Sequence, residues 1–284
     1  MGKANHKDEA VTWQSLTRPQ SAGARLRQNT RNAAKKMAIR IGNLVRPHSE
    51  ARGDRILVYH LVLPEDRASF IEQLRFLQDH FVFSRMADLF SSAPQHQAGP
   101  PYRIFLTFDD GFRILLRDCL EILGRFSIPA AFFVPTDFIE LSGQGGDVVQ
   151  ISARAHYYYQ RPLEPMSPED LKILARLGHQ VWSHGMTHTS FSSLSKERAL
   201  KELEGSREKI REWTGKPPAG FSYPYGHITH GDGSPAEWVR DMGYSYGFTL
   251  RRGKVTPESN PFLLPREHAE GNWTIDELKY FLLS

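Results

Sequence analysis

Two short stretches of the sequence carry side chains that bind metals or move protons. In "SHGMTH", His184 and His188 stand four residues apart, directly after an apolar stretch. In "TFDDG", Asp109 and Asp110 stand side by side at the end of another apolar stretch. Two adjacent carboxylates repel each other, so a site gains from holding both only when a cation lies beside them. Alone, each stretch has an ordinary interpretation: a pair of surface histidines, or an Asp-Gly turn that ends a strand.

Together, the two stretches predict a divalent metal site. One carboxylate and two imidazoles form a common ligand set for such an ion, with positions left open for water. The second carboxylate is then free, and Asp109 could accept the proton of a water that attacks a carbonyl carbon. The tetrahedral oxyanion formed in this attack needs hydrogen-bond donors. The pattern therefore favours hydrolysis of an amide or an ester.

The elements around these stretches predict an α/β fold. From Arg55 onward, short apolar runs alternate with helical patterns, which indicates parallel strands buried on both faces. About seven such units in about 230 residues predict a distorted (β/α) barrel, and no Gly-x-Gly-x-x-Gly motif follows the first strand. In such a barrel the carboxyl ends of the strands, where both stretches fall, face one pocket. Strands are expected at 56–60, 103–108, 129–135, 180–184, 219–224, 245–250 and 262–265, with a helix at about 112–125 after the second of them.

Several helix ends are marked by capping residues. Ser167 followed by Pro168 predicts an N-cap and a first helical position. Two capping boxes are expected further along the chain, in which a hydroxyl and a glutamate three residues later satisfy the first amides. They are Ser234 with Glu237 and Thr274 with Glu277.

Composition indicates a soluble globular protein. Of 284 residues, 24% are charged and 40% apolar, and the longest apolar run, "IPAAFFVP", is too short to span a bilayer. The single cysteine, Cys119, lies among apolar neighbours, which favours a buried, unreactive thiol over a nucleophile. The polar N-terminus lacks the pattern of a secretory signal, so we expect a cytoplasmic location.

The basic charge of the chain is concentrated at one end. Residues 1–54 hold 11 Lys and Arg against four Asp and Glu, whereas the remainder holds 25 against 28. This asymmetry predicts a basic leader over residues 1–54 and a barrel domain over 55–284. Within the leader, 24–45 has apolar residues at helical spacing between basic ones, which favours contact with an anionic membrane surface; a partly ordered leader without a partner is the alternative. No nucleic-acid partner is expected, because the leader lacks interleaved aromatics and the body is slightly acidic.

Three motifs resemble those of a known family. "TFDDG", "SHGMTH" followed by "SFSSLS", and "FSYPYG" occur in this order and spacing in the polysaccharide deacetylase (NodB-homology) family of carbohydrate esterases, and with "IPAAFFVP" the similarity covers roughly residues 55–270. The resemblance implies a distorted (β/α) barrel that removes acetyl groups from an N-acetylated sugar or polysaccharide. It also implies a divalent metal, most often zinc, although cobalt and nickel accept the same ligands. By this resemblance Asp109 is the catalytic base, and the metal ligands are Asp110, His184 and His188.

Two further segments take roles from the same resemblance. Tyr223, Pro224, Tyr225 and Gly226 are expected to line the groove that binds the acetyl group, with the backbone N–H of Tyr225 as the oxyanion donor. His60 resembles a family position at the rim of the first strand. It is expected either to face the pocket or to be a polar strand terminus.

The chain departs from the family pattern at two positions. Ser222 stands where the third motif often has an arginine that pairs with the base, and the C-terminal Leu-x-His motif that supplies the general acid is absent. A subgroup that includes enzymes acting on β-1,6-linked N-acetylglucosamine polymers also has a small residue at the position of Ser222. We expect Arg266 to replace the missing arginine beside Asp109. His268 is either the replacement for the acid or an exposed loop histidine.

These departures leave two alternatives to a sugar deacetylase. One is a catalytically inactive sugar-binding or scaffold protein of the same fold, and the other is a hydrolase of a non-sugar amide. The long loop at 143–165 adds Tyr157, Tyr158 and Tyr159, which would either stack on sugar rings or belong to an ordinary loop. The identity and linkage of the sugar do not follow from the residues.

Overall fold

The computed structural model describes residues 53–91, 102–142, 163–229 and 233–282, and before them residues 16, 34, 37–39 and 41–43. The strands are β1 (Arg55–Tyr59), β2 (Val82–Phe83), β3 (Arg103–Phe108), β4 (Ala130–Val134), β5 (Gln180–Ser183), β6 (Gly220–Ser222), β7 (Tyr246–Phe248) and β8 (Glu267–His268). The helices are α1 (Arg67–His80), α2 (Ile114–Arg117), α3 (Cys119–Arg125), α4 (Thr136–Ser142), α5 (Pro168–Arg176), α6 (Lys196–Thr214), α7 (Pro235–Asp241) and α8 (Ile275–Leu282). The expected tyrosines at 157–159 lie outside the described residues.

All the paired strands run parallel. The sheet has the order β7-β6-β5-β4-β3-β1-β8, and β2 lies beside the start of β3. Every residue of β1, β3 and β4 is buried, as expected for strands with helices on one face and a filled interior on the other. The predicted distorted (β/α) barrel is confirmed.

The segment between β7 and β8 brings the two edges of the sheet together. Leu264 forms a single parallel bridge with Phe248, and Arg266 N donates to the carbonyl of Arg251 before β8 pairs with β1. The predicted strand at 262–265 is therefore wrong, and the strand here is Glu267–His268. Pro265 has no N–H to continue a ladder, so regular pairing begins only after it.

Two of the three predicted helix caps form. The Ser167 hydroxyl accepts from Asp170 N, and Thr274 shares reciprocal hydrogen bonds with Glu277. The predicted capping box at Ser234 is wrong, because its side chain makes no capping hydrogen bond.

The helix predicted at 112–125 is interrupted. Phe112 forms an antiparallel bridge with Pro165, and Arg113 N donates to the Glu164 carbonyl, so the first two positions pair with the neighbouring segment. The remainder divides into α2 and α3. Cys119 at the start of α3 is buried, as expected, and burial raises the pKa of its thiol.

The described part of the N-terminal region contacts the barrel. Leu16 is buried in an apolar cluster that includes Leu61 and Phe138, both close to the carboxyl ends of strands. Ile39 is also buried, and Asn43 Nδ2 donates to the carbonyl of Asp276 over 2.9 Å. The division into residues 1–54 and 55–284 stays a prediction. Among the described helices, none combines the length and the apolar character needed to cross a bilayer.

Candidate active site

The carboxyl ends of four parallel strands deliver polar side chains to one mouth of the barrel. His60 follows β1, Asp109 and Asp110 follow β3, and His184 follows β5. Ser222 ends β6 beside them. Because all these strands point the same way, residues far apart in the sequence become neighbours at this mouth.

Asp110, His184 and His188 form a buried three-residue cluster. One potential ligand atom from each residue lies within 4.8 Å of the other two. Asp110 Oδ1 is 3.5 Å from His184 Nε2 and 3.4 Å from His188 Nε2. Two ligands bound tetrahedrally to one zinc ion at its usual bond lengths lie roughly 3.4 Å apart. Both distances that involve Asp110 therefore fit a shared divalent ion.

A hydrogen bond at Nδ1, on the side of the ring away from Asp110, fixes the tautomer of His184. His184 Nδ1 lies 2.8 Å from the carbonyl oxygen of Ser222, which can only accept a hydrogen bond. In the neutral ring the proton is therefore on Nδ1, and the lone pair of Nε2 is directed toward Asp110. This arrangement is the usual one for a histidine that binds a metal.

Three residues of the mouth have left-handed backbone conformations. Asp110 has φ 75°, His188 φ 57° and Tyr225 φ 61°. Among the described residues, Ser127 is the only other non-glycine with positive φ. Such conformations cost free energy and concentrate at functional sites, where the surrounding structure imposes them.

Asp109 is held by Arg266 and Ser222. Both terminal nitrogens of the Arg266 guanidinium donate to its carboxylate, over 2.8 and 2.7 Å, and the Ser222 hydroxyl donates to it over 3.1 Å. Arg266 also donates to the Ser222 oxygen over 2.7 Å. Burial alone would raise the pKa of Asp109, but the charge and hydrogen bonds of Arg266 lower it far below its usual value. Asp109 is thus an ionised carboxylate in a fixed orientation.

The protonation states of Asp110 and His184 depend on each other and on the neighbouring charges. Burial would raise the pKa of Asp110, but the hydrogen bond to His184 and the charges of His60 and His188 lower it. Burial likewise would lower the pKa of His184, and the two neighbouring carboxylates raise it instead. Without a cation, the two carboxylates therefore favour a proton on His184, and a bound divalent ion would replace that proton.

His60 and His268 lie together at the edge of the mouth. Their ring centroids are 5.4 Å apart, and His60 Nδ1 is buried with no hydrogen-bond partner. His268 lies in β8 and is partly buried, so the expectation of an exposed loop histidine is wrong. Burial, followed by the influence of His60 and Arg252, lowers the pKa of His268 to about 4.

Of the four residues 223–226, only Tyr225 has an exposed side chain beside the histidine cluster. Tyr225 is 41% exposed, and its ring centroid lies 4.8 Å from that of His188. Tyr223 is fully buried and its hydroxyl donates to the Phe262 carbonyl, so the structure does not bring its side chain to the mouth. Pro224 is buried, and Gly226 has φ 68° where the chain turns back.

Sequence reasoning missed one residue that contacts the loop between His184 and His188, called here the histidine loop. The carboxylate of Glu202 on α6 accepts hydrogen bonds from the backbone between His184 and His188. In the sequence, Glu202 is one of several glutamates on a charged amphipathic helix, and nothing distinguishes it from the others.

The fold and the site together define a class of (β/α)-barrel proteins with a buried Asp-His-His cluster, able to hold a metal ion, at the carboxyl-end mouth. The family model for polysaccharide deacetylase matches residues 96–247, and the chain belongs to this family. The matched region contains the three motifs and ends before Arg266 and His268.

Individual relatives support the same assignment. The chain is 23% identical over 209 residues to the poly-beta-1,6-N-acetyl-D-glucosamine N-deacetylase of Staphylococcus aureus, and the match covers 70% of this chain and 66% of that enzyme. Among solved structures, the deacetylase PplD of Streptococcus pyogenes in complex with acetate superposes with a TM-score of 0.63 at 17% identity, over 81% of this chain and 98% of that one. IcaB from Ammonifex degensii gives a TM-score of 0.62 at 23% identity, over 82% and 97%. These structural similarities establish the fold.

Proposed function

We propose that this protein is a metal-dependent hydrolase that removes acetyl groups from an N-acetylated sugar or polysaccharide. The observation that carries the proposal is the buried cluster of Asp110, His184 and His188 beside an ionised Asp109. Membership of the polysaccharide deacetylase family supports the reaction, and the S. aureus relative, which is named for its N-deacetylase activity, supports the substrate class.

The cluster would hold a divalent ion through Asp110, His184 and His188. Zinc suits one carboxylate and two imidazoles, and cobalt or nickel accepts the same donors. When bound, such an ion lowers the pKa of water and polarises a carbonyl oxygen. The chain itself contributes the fixed tautomer of His184 and the burial that keeps bulk water from competing.

Asp109 would act as the base. It is ionised across the physiological range, and Arg266 together with Ser222 restricts its orientation. The pairing with Arg266 lowers the pKa of Asp109, which keeps the carboxylate ionised but makes it a weaker base.

The exposed ring of Tyr225 would contact the sugar. It stands beside His188 at the entrance, where an aromatic face can stack on the apolar face of a sugar ring. The backbone N–H of Tyr225 is proposed as the donor to the developing oxyanion. His60 and His268, which contact each other at the edge of the mouth, would also face the substrate, and the role of His268 as proton donor stays a prediction.

Acetate release from a panel of acetylated compounds tests the proposal. The panel contains β-1,6- and β-1,4-linked N-acetylglucosamine oligomers, O-acetylated sugars and small cyclic amides, each with and without a chelator. We expect acetate release from at least one N-acetylated sugar, loss with chelator, and recovery with Zn²⁺, Co²⁺ or Ni²⁺. Sugar binding without turnover would instead identify an inactive binding protein, and turnover of cyclic amides alone would identify a non-sugar amidase.

We also propose that residues 24–45 contact an anionic membrane surface. Within this segment, Met37 and Ile41 are helical and 58% and 53% exposed, whereas Ile39 between them is buried. The helix thus has one side toward the protein and an apolar stripe toward solvent. The surplus of basic residues in 1–54 supports an anionic partner. A cytoplasmic location stays a prediction.

A further inference from the structure

Glu202 of α6 is hydrogen-bonded to the loop that joins His184 to His188. Its Oε2 accepts from Met186 N over 2.6 Å and from Thr187 N over 2.9 Å, and its Oε1 accepts from the Thr187 hydroxyl over 2.8 Å. Glu202 is only 8% exposed. A carboxylate only accepts hydrogen bonds, so it matches three converging donors in a buried place.

The rest of the loop fits α6 equally closely. Gly185 has φ 80°, and a Cβ there would lie 3.0 Å from Glu202 Oε2, so the glycine leaves room for the carboxylate. A Cβ added at Gly205 of α6 would collide with the sulfur of Met186. The absence of side chains at both glycines therefore allows the loop to lie directly on the helix.

The carbonyl groups of the loop are held from the opposite side. Thr136 N donates to the Gly185 carbonyl and Asp137 N donates to the Met186 carbonyl, each over 3.0 Å. The loop is thus fixed between the first turn of α4 and the carboxylate of Glu202. Of these two supports, only Glu202 acts through a side chain, so it can be removed by substitution.

We propose that Glu202 is a positioning residue that sets the distance between the His184 and His188 rings by holding the amides between them. This inference rests on the proposed function, in which both rings bind one divalent ion. His188 has a left-handed backbone conformation, which must be imposed by its surroundings. Without Glu202 the amides of Met186 and Thr187 lose their acceptor, and the loop can relax away from the conformation that brings His188 to Asp110.

The chemistry of the contact predicts different results for two substitutions. In Glu202→Gln, the amide oxygen can accept from both backbone N–H groups while the NH₂ group donates to the Thr187 oxygen. The Thr187 hydroxyl can then donate to Thr189, whose oxygen lies 2.7 Å away. Glu202→Gln therefore preserves the positioning, and Glu202→Ala removes it. A purely electrostatic effect of the carboxylate would be lost in both variants.

The matched control is Glu277. It too is 8% exposed and accepts hydrogen bonds from a backbone N–H and a threonine hydroxyl, in its case Thr274, but it lies in α8 and caps that helix. Glu277→Ala should lower stability through the same kind of loss without touching the histidine loop.

Titration of the metal-free chain with Co²⁺, followed by its visible absorption and by chelator competition, tests the proposal. We expect Glu202→Ala to weaken Co²⁺ binding about 10–100-fold, the range typical of groups that orient metal ligands. Glu202→Gln should stay within about threefold of the unmodified protein, and Glu277→Ala should bind normally. If Glu202→Ala does not fold, Thr187→Val removes one of the three donors and should weaken binding severalfold.

The outcomes separate this inference from the function on which it rests. Normal Co²⁺ affinity in both Glu202→Ala and Thr187→Val, or equal weakening in Glu202→Ala and Glu202→Gln, would overturn the positioning role alone. Failure of the unmodified chain to bind Co²⁺ at all would overturn the metal centre, and the positioning role with it.

Discussion

The guanidinium of Arg266 and the carboxylate of Asp109 face each other through two parallel hydrogen bonds of 2.8 and 2.7 Å, although 157 residues separate them. Both side chains are almost completely buried. Ser222, whose small side chain leaves room for the guanidinium, completes the contact by accepting from Arg266 and donating to Asp109. In this chain, an arginine from the end of the barrel therefore occupies the place beside Asp109, the proposed base.

Arg266→Ala should impair both stability and turnover. Removing one partner leaves Asp109 buried and uncompensated, which typically costs about 3–5 kcal/mol of unfolding free energy. Because Asp109 also loses its orientation, we expect kcat to fall at least about 100-fold. Chemical denaturation and acetate-release kinetics on the same preparation measure the two effects.

Returning the arginine to position 222 provides the control. In Arg266→Ala combined with Ser222→Arg, a guanidinium can again reach Asp109 from the end of β6, where the Ser222 hydroxyl now lies 3.1 Å from the carboxylate, so part of the activity should return. Unchanged kcat in Arg266→Ala would show that the pair is structural and that Asp109 does not need it for turnover.

The sequence predicted most of the residues at the mouth, because the carboxyl ends of parallel strands lie at the same edge of the sheet. Apolar runs located the strands, so Asp110 and His184 could be assigned to one edge. The proximity of Arg266 to Asp109 was inferred from a missing arginine, and the structure shows that proximity. The strand beside Arg266 was predicted at 262–265 instead of Glu267–His268, because the sequence alone does not show that regular pairing begins only after Pro265.

Asn substitutions at the two adjacent aspartates should have separable effects. Asp110→Asn should lose Co²⁺ affinity because a neutral amide replaces the charged ligand, whereas Asp109→Asn should keep affinity within about tenfold. Both should lose turnover, in Asp109→Asn by roughly 10²–10⁴-fold because the base is absent. Metal titration and single-turnover acetate release distinguish the two variants.

Asp170→Asn is a suitable control for these substitutions, because Asp170 is also a buried aspartate but accepts a hydrogen bond from the backbone N–H of Ser167 and caps α5. Loss of Co²⁺ binding in Asp109→Asn but not in Asp110→Asn would reverse the proposed roles of the two carboxylates.

Other features of the site depend on packing between distant elements. The burial of Tyr223 follows from its contact with Phe262, and the hydrogen bonds of Glu202 follow from the placement of α6 on the histidine loop. Neither contact can be predicted from the spacing of nearby residues, because the two partners in each contact lie far apart in the sequence. Motifs thus placed Asp109, Asp110, His184 and His188 at the mouth, but predicted neither the burial of Tyr223 nor the contact of Glu202 with the loop.

His268 should make stability depend on pH. Its pKa is about 4 in the folded chain and near 6.5 when exposed, so between these values the unfolded state binds the proton more readily. The contribution of His268 to stability is therefore present above pH 6.5 and is lost as pH falls toward 4, by roughly 2–3 kcal/mol. In His268→Gln the fall in unfolding free energy over this range should be smaller by that amount.

Denaturant unfolding at closely spaced pH values measures this difference, and His80→Gln, at the exposed end of α1, is the control. Parallel curves for His268→Gln and the unmodified protein would mean that His268 titrates normally. The imidazolium would then be available near neutral pH, as the proton-donor role predicted for this residue requires.

The exposed pair Met37 and Ile41 should determine membrane binding. We expect Met37→Ser with Ile41→Ser to reduce co-sedimentation with vesicles of phosphatidylglycerol and phosphatidylcholine at least about tenfold, because two apolar side chains of this size contribute about 1.5–3 kcal/mol each when buried. Truncation of residues 1–50 is a poorer test, since it also removes the buried Leu16 and Ile39. The matched control is Ile173→Ser with Leu177→Ser, an equally spaced pair in α5 and at its C-cap that is 42% and 59% exposed. Equal loss in both double variants, or binding that is insensitive to salt and to phosphatidylglycerol, would contradict a specific contact of residues 24–45 with an anionic surface.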